Sequence, residues 1–395
     1  MSNDTPIEFP ERQDVQEDLR ALFRGAIRFT LEAYLEEELV EMIGAGRYQR
    51  VTQRRDTRNG SYLRRLLTGL GHIDVSVPRS RESGSPGGES LGRYKRRSED
   101  VDAAICEAYV GGVSTRGMGR VTEALTGEAV KRSTVSRITK RLDEQVEQLR
   151  RAPITEPISY LYLDATFLDA RWARKVENVS VLVAYGIGRD GKRQLLAVTV
   201  GAHESEESWT DLLQQLLERG LSGVRLVIGD GHAGLWKAVR GLLPEVKHQR
   251  CTVHLIRNVQ AKAPQRLRAR VARETVGILH APSLAEAKKR KLAFEQGLGR
   301  EVPEAAACLD ATFSKATTYY AFPKEHWRRI RSTNGLERLH GEVKRRIKKI
   351  GAFPDRASAL RLITAVALQV TAIWSDRRYL DMSESADDKE NEQAA

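Results

Sequence analysis

Three acidic residues stand where a carboxylate can do chemistry. Asp164 and Asp230 each follow an apolar run typical of a strand, and Glu337 lies in the first turn of a predicted helix. An acid at the carboxyl end of a strand is either a turn former or a ligand that projects into the crevice outside a sheet. For Asp230, which precedes Gly231, a turn alone would explain the residue. The three acids are therefore more informative as a set than singly.

As a set, the three acids offer hard oxygen ligands and no thiol, which suits Mg²⁺ or Mn²⁺ better than structural zinc. We expect two such ions, about 3.5–4 Å apart, to activate a water or sugar hydroxyl and to stabilise the leaving oxygen of a phosphodiester. The stretch 324–349 holds ten Lys and Arg against three Glu, so Glu337 lies on a helix suited to phosphate contact. The sequence offers no Walker-type loop, and we expect no nucleotide cofactor.

Strands and one helix are predicted around the two aspartates. The strands are 158–163, 179–187, 195–200 and 224–228, and the helix is 209–217. This order indicates an α/β sheet that begins as a meander and ends with parallel crossovers. After residue 259 the pattern is helical throughout, with Leu267, Val271, Thr275 and Ile278 on one face, and helices over 334–349 and 355–374 close the fold.

The first part of the chain has a different pattern. An amphipathic helix runs from Asp14 to about Tyr34 and suits packing or dimerisation. Seven arginines between residues 47 and 65 surround a predicted Asn59-Gly60 turn, and a strand ends at Pro78. The Gly- and Ser-rich stretch 80–92 is typical of a flexible connection.

A helix pair follows this connection. Ser114 can cap a helix that reaches about Leu125 and is broken by Gly127. Ser133 can cap a second helix that carries cations on one face. This outline is typical of a DNA-reading helix-turn-helix, although such pairs also occur in proteins that never bind DNA. The predicted DNA contacts of this region are Arg137, Lys140 and Arg141 in the second helix, and Arg54 and Arg55 in the arginine-rich stretch.

Composition agrees with an anionic partner. The 395 residues include 65 Lys and Arg against 53 Asp and Glu, a net charge of +12, and 41% are hydrophobic. Such a chain has ordinary cores in two or three domains, and a polyanion is the first partner to consider. Its longest apolar run, 362–374, is shorter than the roughly 20 residues of a membrane span. Three scattered cysteines form no disulfide framework, which favours a reducing, intracellular compartment.

Several segments closely resemble the Mutator-like transposases of bacterial insertion sequences. The matching segments, in the order of the family, are Val77–Arg81, Gly112–Arg116, Tyr160–Asp164, Val227–Gly231, Gln249–Asn258, Ser332–Leu339 and Phe353–Pro354. The resemblance spans about residues 60–375. It implies an RNase H-like core, an all-helical insertion between the second and third acids, and a DDE-type active site. The family needs no ATP and forms no covalent enzyme intermediate.

Carried over by position, Asp164 and Asp230 are the catalytic aspartates and metal ligands, and Glu337 is the glutamate. The family's downstream basic residue is then Lys344, two helical turns on. Glu342 has Lys349 at the same spacing, so spacing alone does not choose between the two glutamates; the resemblance favours Glu337. On the same helix Arg338, Lys344 and Arg345 are predicted DNA contacts. Gly335 and Leu336 depart from the Ala-Ile that is usual in the family.

Cys251 and His254 match the family's Cys-x-x-His element. We interpret them as a pair that supports the floor of the active site. A zinc site is the alternative, but only His248 is near enough in sequence to add a ligand.

The sequence therefore predicts a DNA transposase with an α/β, RNase H-like core and a mainly helical DNA-binding region. Its expected DNA partners are the terminal inverted repeats of its element and target DNA. It is also expected to bind further copies of itself in a homodimer or higher oligomer. We expect it in the bacterial cytoplasm and, when bound to DNA, at the nucleoid. A catalytically silent DNA-binding regulator and a monomeric nuclease are the alternatives. The predicted segments are an N-terminal helix (1–45), a DNA-binding region (46–152), a first core part (153–262), a helical insertion (263–325), a second core part (326–380) and a disordered acidic tail (381–395).

Overall fold

A computed structural model describes residues 12–87, 95–172, 175–348, 350–374 and 376–383. The chain divides into two compact units, Met1–Lys140 and Arg141–Ala395, which we call unit 1 and unit 2. Most of the predicted acidic tail and part of the predicted 80–92 connection lie outside the described residues.

Unit 1 combines a long helix, a β-hairpin and three short helices. Its elements are α1 (Arg12–Ile43), β1 (Arg58–Thr68), β2 (Gly71–Ser80), α2 (Glu99–Val110), α3 (Thr115–Thr126) and α4 (Arg132–Thr139). The second half of α1 packs on β2 and buries Leu35, Leu39 and Ile43. In the first half, Leu22 and Phe23 are exposed, although they belong to the pattern that predicted the helix.

The hairpin of unit 1 differs from the expected turn at Asn59-Gly60. Both residues lie within β1, where the pairing with β2 shifts register between Arg58 and Ser61. Gly60 has a φ of +69°, a conformation that glycine adopts at low cost, so the dipeptide forms a bulge within the strand.

The predicted helix pair is present as α3 and α4, and α2 packs against both. The Ser114 hydroxyl accepts a hydrogen bond from the Gly117 amide at 3.1 Å, and Gly127 ends α3 in the left-handed conformation. The expected cap at Ser133 is wrong: α4 begins at Arg132, so Ser133 lies inside its first turn.

Unit 2 is built on one mixed sheet and the helices around it. Its first elements are α5 (Asp143–Arg151), β3 (Ile158–Trp172), β4 (Lys175–Gly188), β5 (Arg193–Gly201), α6 (Glu206–Glu218), β6 (Leu226–Gly229), α7 (Ala233–Leu242) and β7 (Lys247–Arg250). The later elements are α8 (Thr252–Ala261), α9 (Arg268–Leu279), α10 (Leu284–Gln296), α11 (Pro303–Ala316), α12 (Trp327–Ile330), α13 (Asn334–Ile347) and α14 (Arg356–Thr371). Unit 2 starts with α5, ahead of the boundary predicted near residue 152, because α5 packs against α14, where Arg361 pairs with Asp143 at 2.6 Å.

The sheet has the strand order β5–β4–β3–β6–β7. β3, β4 and β5 form an antiparallel meander, and β6 and β7 add in parallel, which confirms the predicted topology. The sequence does not predict β7, because its residues Lys247-His-Gln-Arg lack an apolar pattern.

Alternation along β3 divides its side chains between two layers. Leu161 and Leu163 join the core beneath α6 and α7, which includes the buried Trp209. Tyr162 points to the other face, where its ring stacks on Tyr185 with centroids 4.3 Å apart. Since Asp164 follows Tyr162 by two residues, it emerges on the same face as that ring.

The segment Arg356–Trp374, which is α14 with the 3₁₀ turn after it, is long and apolar enough to pass for a membrane span. α14 packs on β5 and β3 as well as on α13, and 56% of the most apolar 18 residues of the segment is buried. These contacts are those of a core helix in a globular protein.

Candidate active site

Asp164 and Asp230 occupy neighbouring positions at the end of the pairing between β3 and β6. The last register pair of these parallel strands joins Tyr162 to Ile228, and each aspartate follows two residues later. Asp164 is only 4% exposed. The prediction that Asp164 ends its strand is wrong: β3 continues well beyond it, because the following residues keep pairing with β4.

Asp230 also shapes the turn that leads from β6 into α7. Its Oδ1 accepts a hydrogen bond from the amide of His232 at 2.8 Å, and its carbonyl accepts one from the Trp236 indole at 2.8 Å. The turn that Gly231 suggested is thus present, and it fixes the aspartate beside Asp164.

Glu337 is held between two helices. It lies in the first turn of α13, and Arg257 on α8 donates hydrogen bonds to its two carboxylate oxygens at 2.8 and 3.4 Å. His254, one turn earlier on α8, places Nε2 3.6 Å from Glu337 Oε1. The spacing of His254 and Arg257 puts both on one helix face, so both contact the carboxylate from α8.

His340 links α13 to β3. Its Nδ1 lies 3.4 Å from Asp164 Oδ2, and both side chains are buried. Our sequence analysis did not identify His340 or Arg257. Each lies three residues after a predicted site residue on the same helix, Glu337 and His254 respectively, and that i, i+3 spacing is the signal that could have found them.

Cys251 joins the start of α8 to the start of α13. The Thr333 amide and hydroxyl both donate to its Sγ at 3.4 Å. Burial raises the pKa of the Cys251 thiol, but hydrogen bonding with His254 and Thr333 more than offsets this and lowers it. The same bond with Cys251, together with the charges of Asp164 and Glu337, raises the pKa of His254 to about 9. The pair therefore lies near Asp164 and Glu337 and links the start of α8 to the start of α13.

Glu204 is a further acid that sequence analysis did not single out. It precedes α6, accepts a hydrogen bond from the Trp209 indole at 3.1 Å and lies 3.4 Å from His232 Nδ1. Burial, followed by the charges of Asp230 and more weakly Asp164, raises its pKa. No spacing or motif marks Glu204; only the fold brings it to the aspartates.

Glu342, the rival of Glu337, lies away from these acids. It pairs along α13 with Arg345 at 2.8 Å and with Arg346 at 3.6 Å. Arg338, Lys344 and Arg345 are exposed on the same helix, so the predicted phosphate contacts of α13 are accessible, although Arg345 is partly engaged by Glu342.

The predicted DNA contacts of unit 1 are exposed as well. Arg137 lies on α4, whereas Lys140 and Arg141 belong to the 3₁₀ helix that follows, because α4 ends at Thr139. Arg54 and Arg55 lie in the connection between α1 and β1 and donate to the carbonyls of Asp56 and Glu41 at 2.9 and 3.3 Å. Contrary to the prediction, Arg137, Lys140 and Arg141 therefore do not all belong to one α-helix.

In the part of the chain that the structure describes, no three His, Cys, Asp or Glu side chains converge as they would in a preformed metal centre. This holds for the set Asp164, Asp230 and Glu337 as well as for the zinc alternative at Cys251 and His254. His248 instead packs its ring against Trp236, with centroids 5.0 Å apart.

Comparisons with known proteins show the family of this chain. The family model described as Transposase, Mutator family matches residues 4–376. A transposase for insertion sequence element ISRM5 of Rhizobium meliloti is 36% identical over 93% of this chain and 92% of its own length. The chain belongs to the Mutator family of transposases. Similar relatives are the transposases for IS256 in transposon Tn4001 of Staphylococcus aureus (34% identical, 95% of each chain) and for IS1081 of Mycobacterium tuberculosis (35% identical, 91% of this chain and 88% of that one).

Gly335, at the start of α13, has no room for a side chain. An added Cβ there would lie 2.7 Å from the Tyr185 hydroxyl. Tyr185 is fully buried between Tyr162 and Trp374. The transposase therefore accommodates this tyrosine by omitting a side chain at the start of α13.

Proposed function

We propose that this transposase cleaves DNA at the ends of its insertion sequence and joins the freed 3′-hydroxyl to a second phosphodiester. Asp164, Asp230 and Glu337 form the catalytic set. The proposal rests on one observation. Asp164 and Asp230 lie at the end of the β3–β6 pairing, and α13 reaches this point. His340 of α13 contacts Asp164, and Glu337 lies one helical turn before His340.

The fold proposed for unit 2 is the RNase H-like core. Its support is the five-stranded sheet, with the first acid on β3, the second directly after β6 and the glutamate on α13. The helices α9, α10 and α11 lie between the second and third acids and are assigned to the all-helical insertion. Val271, Phe294 and Leu309, one from each of these helices, share a hydrophobic core with α8.

Mg²⁺ or Mn²⁺ is the proposed cofactor, held by Asp164, Asp230 and Glu337. The donor chemistry fits, because carboxylate oxygens are the ligands these ions prefer. Burial, and after it the charges of Asp230 and Asp164, raises the pKa of Glu204 beside them. Two bound ions would activate a water or 3′-hydroxyl and stabilise the leaving oxygen. No nucleotide cofactor is proposed.

The surrounding side chains position this set. Arg257 and His254 fix the orientation of Glu337, and His340 restrains Asp164. Cys251 anchors the start of α13 through Thr333. Such supporting contacts hold catalytic groups in their productive geometry before substrate arrives.

The proposed partners are the terminal inverted repeats of the element and target DNA. Unit 1 supplies the exposed cations Arg54, Arg55, Arg137 and Lys140, and α13 supplies Arg338 and Lys344. Further copies of the transposase are also proposed partners, because the first half of α1 exposes apolar side chains such as Leu22, 67% exposed, that a second copy would cover.

The test is to incubate the full chain with Mg²⁺ and DNA that carries the repeats flanking its own gene, together with a second, unmarked duplex. We expect a new 3′-hydroxyl at the repeat and its transfer into the second duplex. Specific binding of the repeats with no cleavage in either Mg²⁺ or Mn²⁺ would contradict the proposal and support the regulator.

A further inference from the structure

A pocket of about 650 Å³ opens on the side of α13 that faces away from Glu337. Seven arginines line it, against a single carboxylate, Glu342. We call it the arginine pocket. Its arginines come from β5, from α12 and the start of α13, and from the chain after Trp374; those used below are Arg193, Arg328, Arg329, Arg331, Arg338 and Arg377.

These six arginines have no acidic partner among the described residues, since the ion pairs found there do not include them. The seventh, Arg378, pairs with Asp381 at 3.3 Å. Glu342 is already shared between Arg345 and Arg346. The pocket therefore concentrates positive charge that the described part of the protein does not neutralise.

Aromatic rings hold two of the guanidinium groups in place. Arg193 lies 4.2 Å from the ring centroid of Trp374 and 4.3 Å from that of Tyr379, and Arg329 lies 4.4 Å from Tyr379. These cation–π contacts orient the cations. They also occupy the rings, so the pocket suits a phosphate better than a stacked base.

The arginines are crowded as well as numerous. Burial, with a contribution from Arg329, lowers the pKa of Arg193, and burial with Arg328 lowers that of Arg331. The buried Nε of Arg193 also lacks a hydrogen-bond partner in the described structure. A bound anion would relieve the repulsion and accept this hydrogen bond.

The pocket lies close to the acids along α13. His340 contacts Asp164 on β3 and Glu337 is bonded to Arg257 on α8, whereas Arg338 and Glu342 line the pocket. A helix with its side chains is about 10–12 Å across. Since one DNA strand advances about 3.4 Å per nucleotide, a strand crossing α13 covers this distance in roughly three nucleotides.

We propose that the arginine pocket binds the phosphates of a DNA strand a few nucleotides from the phosphodiester that is cleaved. The inference rests on the proposed function, which supplies DNA as the ligand. It adds a second phosphate site, distinct from the acids and from the exposed cations of unit 1.

The test compares two double variants of the full chain without divalent metal, so that cleavage plays no part. The pocket variant, Arg328→Gln with Arg377→Gln, removes two exposed charges from the pocket. The control variant, Arg266→Gln with Arg273→Gln, removes two exposed charges from the helical region and changes the net charge equally. The affinity for a duplex of random sequence is measured as a function of salt. We expect the pocket variant to lose roughly tenfold in affinity at low salt and about two from the salt slope, because each phosphate contact contributes about 0.9. The control should change by much less.

Equal losses in the two variants, or an unchanged slope in the pocket variant, would overturn the proposal. Inorganic triphosphate is the second probe. Tight binding of triphosphate that needs Arg328 and Arg377, with duplex affinity unchanged in the pocket variant, would assign the pocket to a small anion and also overturn it. If the wild type never cleaves DNA but the slopes differ as expected, the pocket stands and the proposed function fails.

Discussion

Arg257 on α8 donates hydrogen bonds to both carboxylate oxygens of Glu337 on α13, at 2.8 and 3.4 Å. A fork of two bonds fixes the plane of a carboxylate as well as its position. The glutamate proposed as the third catalytic acid is therefore oriented by a residue from outside its own helix, and by His254 from the same face of α8.

Arg257→Gln should lower the rate of strand cleavage about 10- to 100-fold, the usual effect of losing a residue that orients a metal ligand. DNA affinity should change little, and Arg257→Lys, which keeps the charge but not the fork, should recover part of the rate. Single-turnover cleavage and repeat binding are the measurements. Arg273→Gln on α9 is the control. Equal cleavage rates in the two glutamine variants would show that the contact between Arg257 and Glu337 has no function.

Glu204→Gln should raise the Mg²⁺ concentration needed for half-maximal cleavage by about tenfold or more. The reason is its position: the charges of Asp230 and Asp164 act on it, so its own charge adds to the attraction for a cation. Glu206→Gln provides a matched control, since that exposed glutamate pairs with Lys237 at 3.1 Å on the surface. An identical metal dependence in the two variants would exclude a role for Glu204 in cation binding.

The helix pair and the arginine-rich stretch of unit 1 predict two different losses of DNA affinity. Arg137→Ala should weaken binding to the element ends by about 1–3 kcal/mol while leaving random duplex almost unaffected, as expected of a base-reading residue. Arg54→Ala with Arg55→Ala should weaken binding to any duplex and lower the salt slope. Competition assays with the two kinds of DNA measure this difference. The DNA-reading assignment fails if both variants lose specific and random binding equally.

Cys251→Ser and His254→Ala should reduce cleavage without releasing zinc. Two side chains are too few for a tetrahedral site, and the contacts of Cys251 with Thr333 give it a structural role instead. Elemental analysis of the purified wild type and variants decides the matter. One stoichiometric zinc in the wild type, lost together with folding in Cys251→Ser, would establish the zinc alternative.

Much of the fold could be predicted because its elements have strong local patterns. The apolar strands around Tyr160 and Val183 and the helix that begins at Asn334 were of this kind. The polar strand β7 has no such pattern, and Asp164 was placed at a strand end because its apolar run stops there, although backbone pairing with β4 continues.

The candidate site, like the fold, could be predicted only where local sequence patterns mark its residues. The acids could be named from their positions and from the family resemblance, since each follows a recognisable segment. Glu204, Arg257 and His340 meet the acids only through contacts between elements far apart in sequence, and local patterns do not encode such contacts. The crowded arginines of the pocket, from three separate segments, were hidden for the same reason.

Asp164, Asp230 and Glu337, and not Glu342, are proposed to carry out strand cleavage. The most direct measurement compares cleavage of the element ends by Glu337→Gln and Glu342→Gln, with Asp164→Asn and Asp230→Asn alongside, in Mg²⁺ and Mn²⁺ and after confirming that each variant still binds the ends. Neutralising a metal ligand removes the reaction but leaves the Arg and Lys contacts, so we expect no cleavage from the Asp164, Asp230 and Glu337 variants and near-normal cleavage from Glu342→Gln. Cleavage by Glu337→Gln together with none by Glu342→Gln would contradict the account.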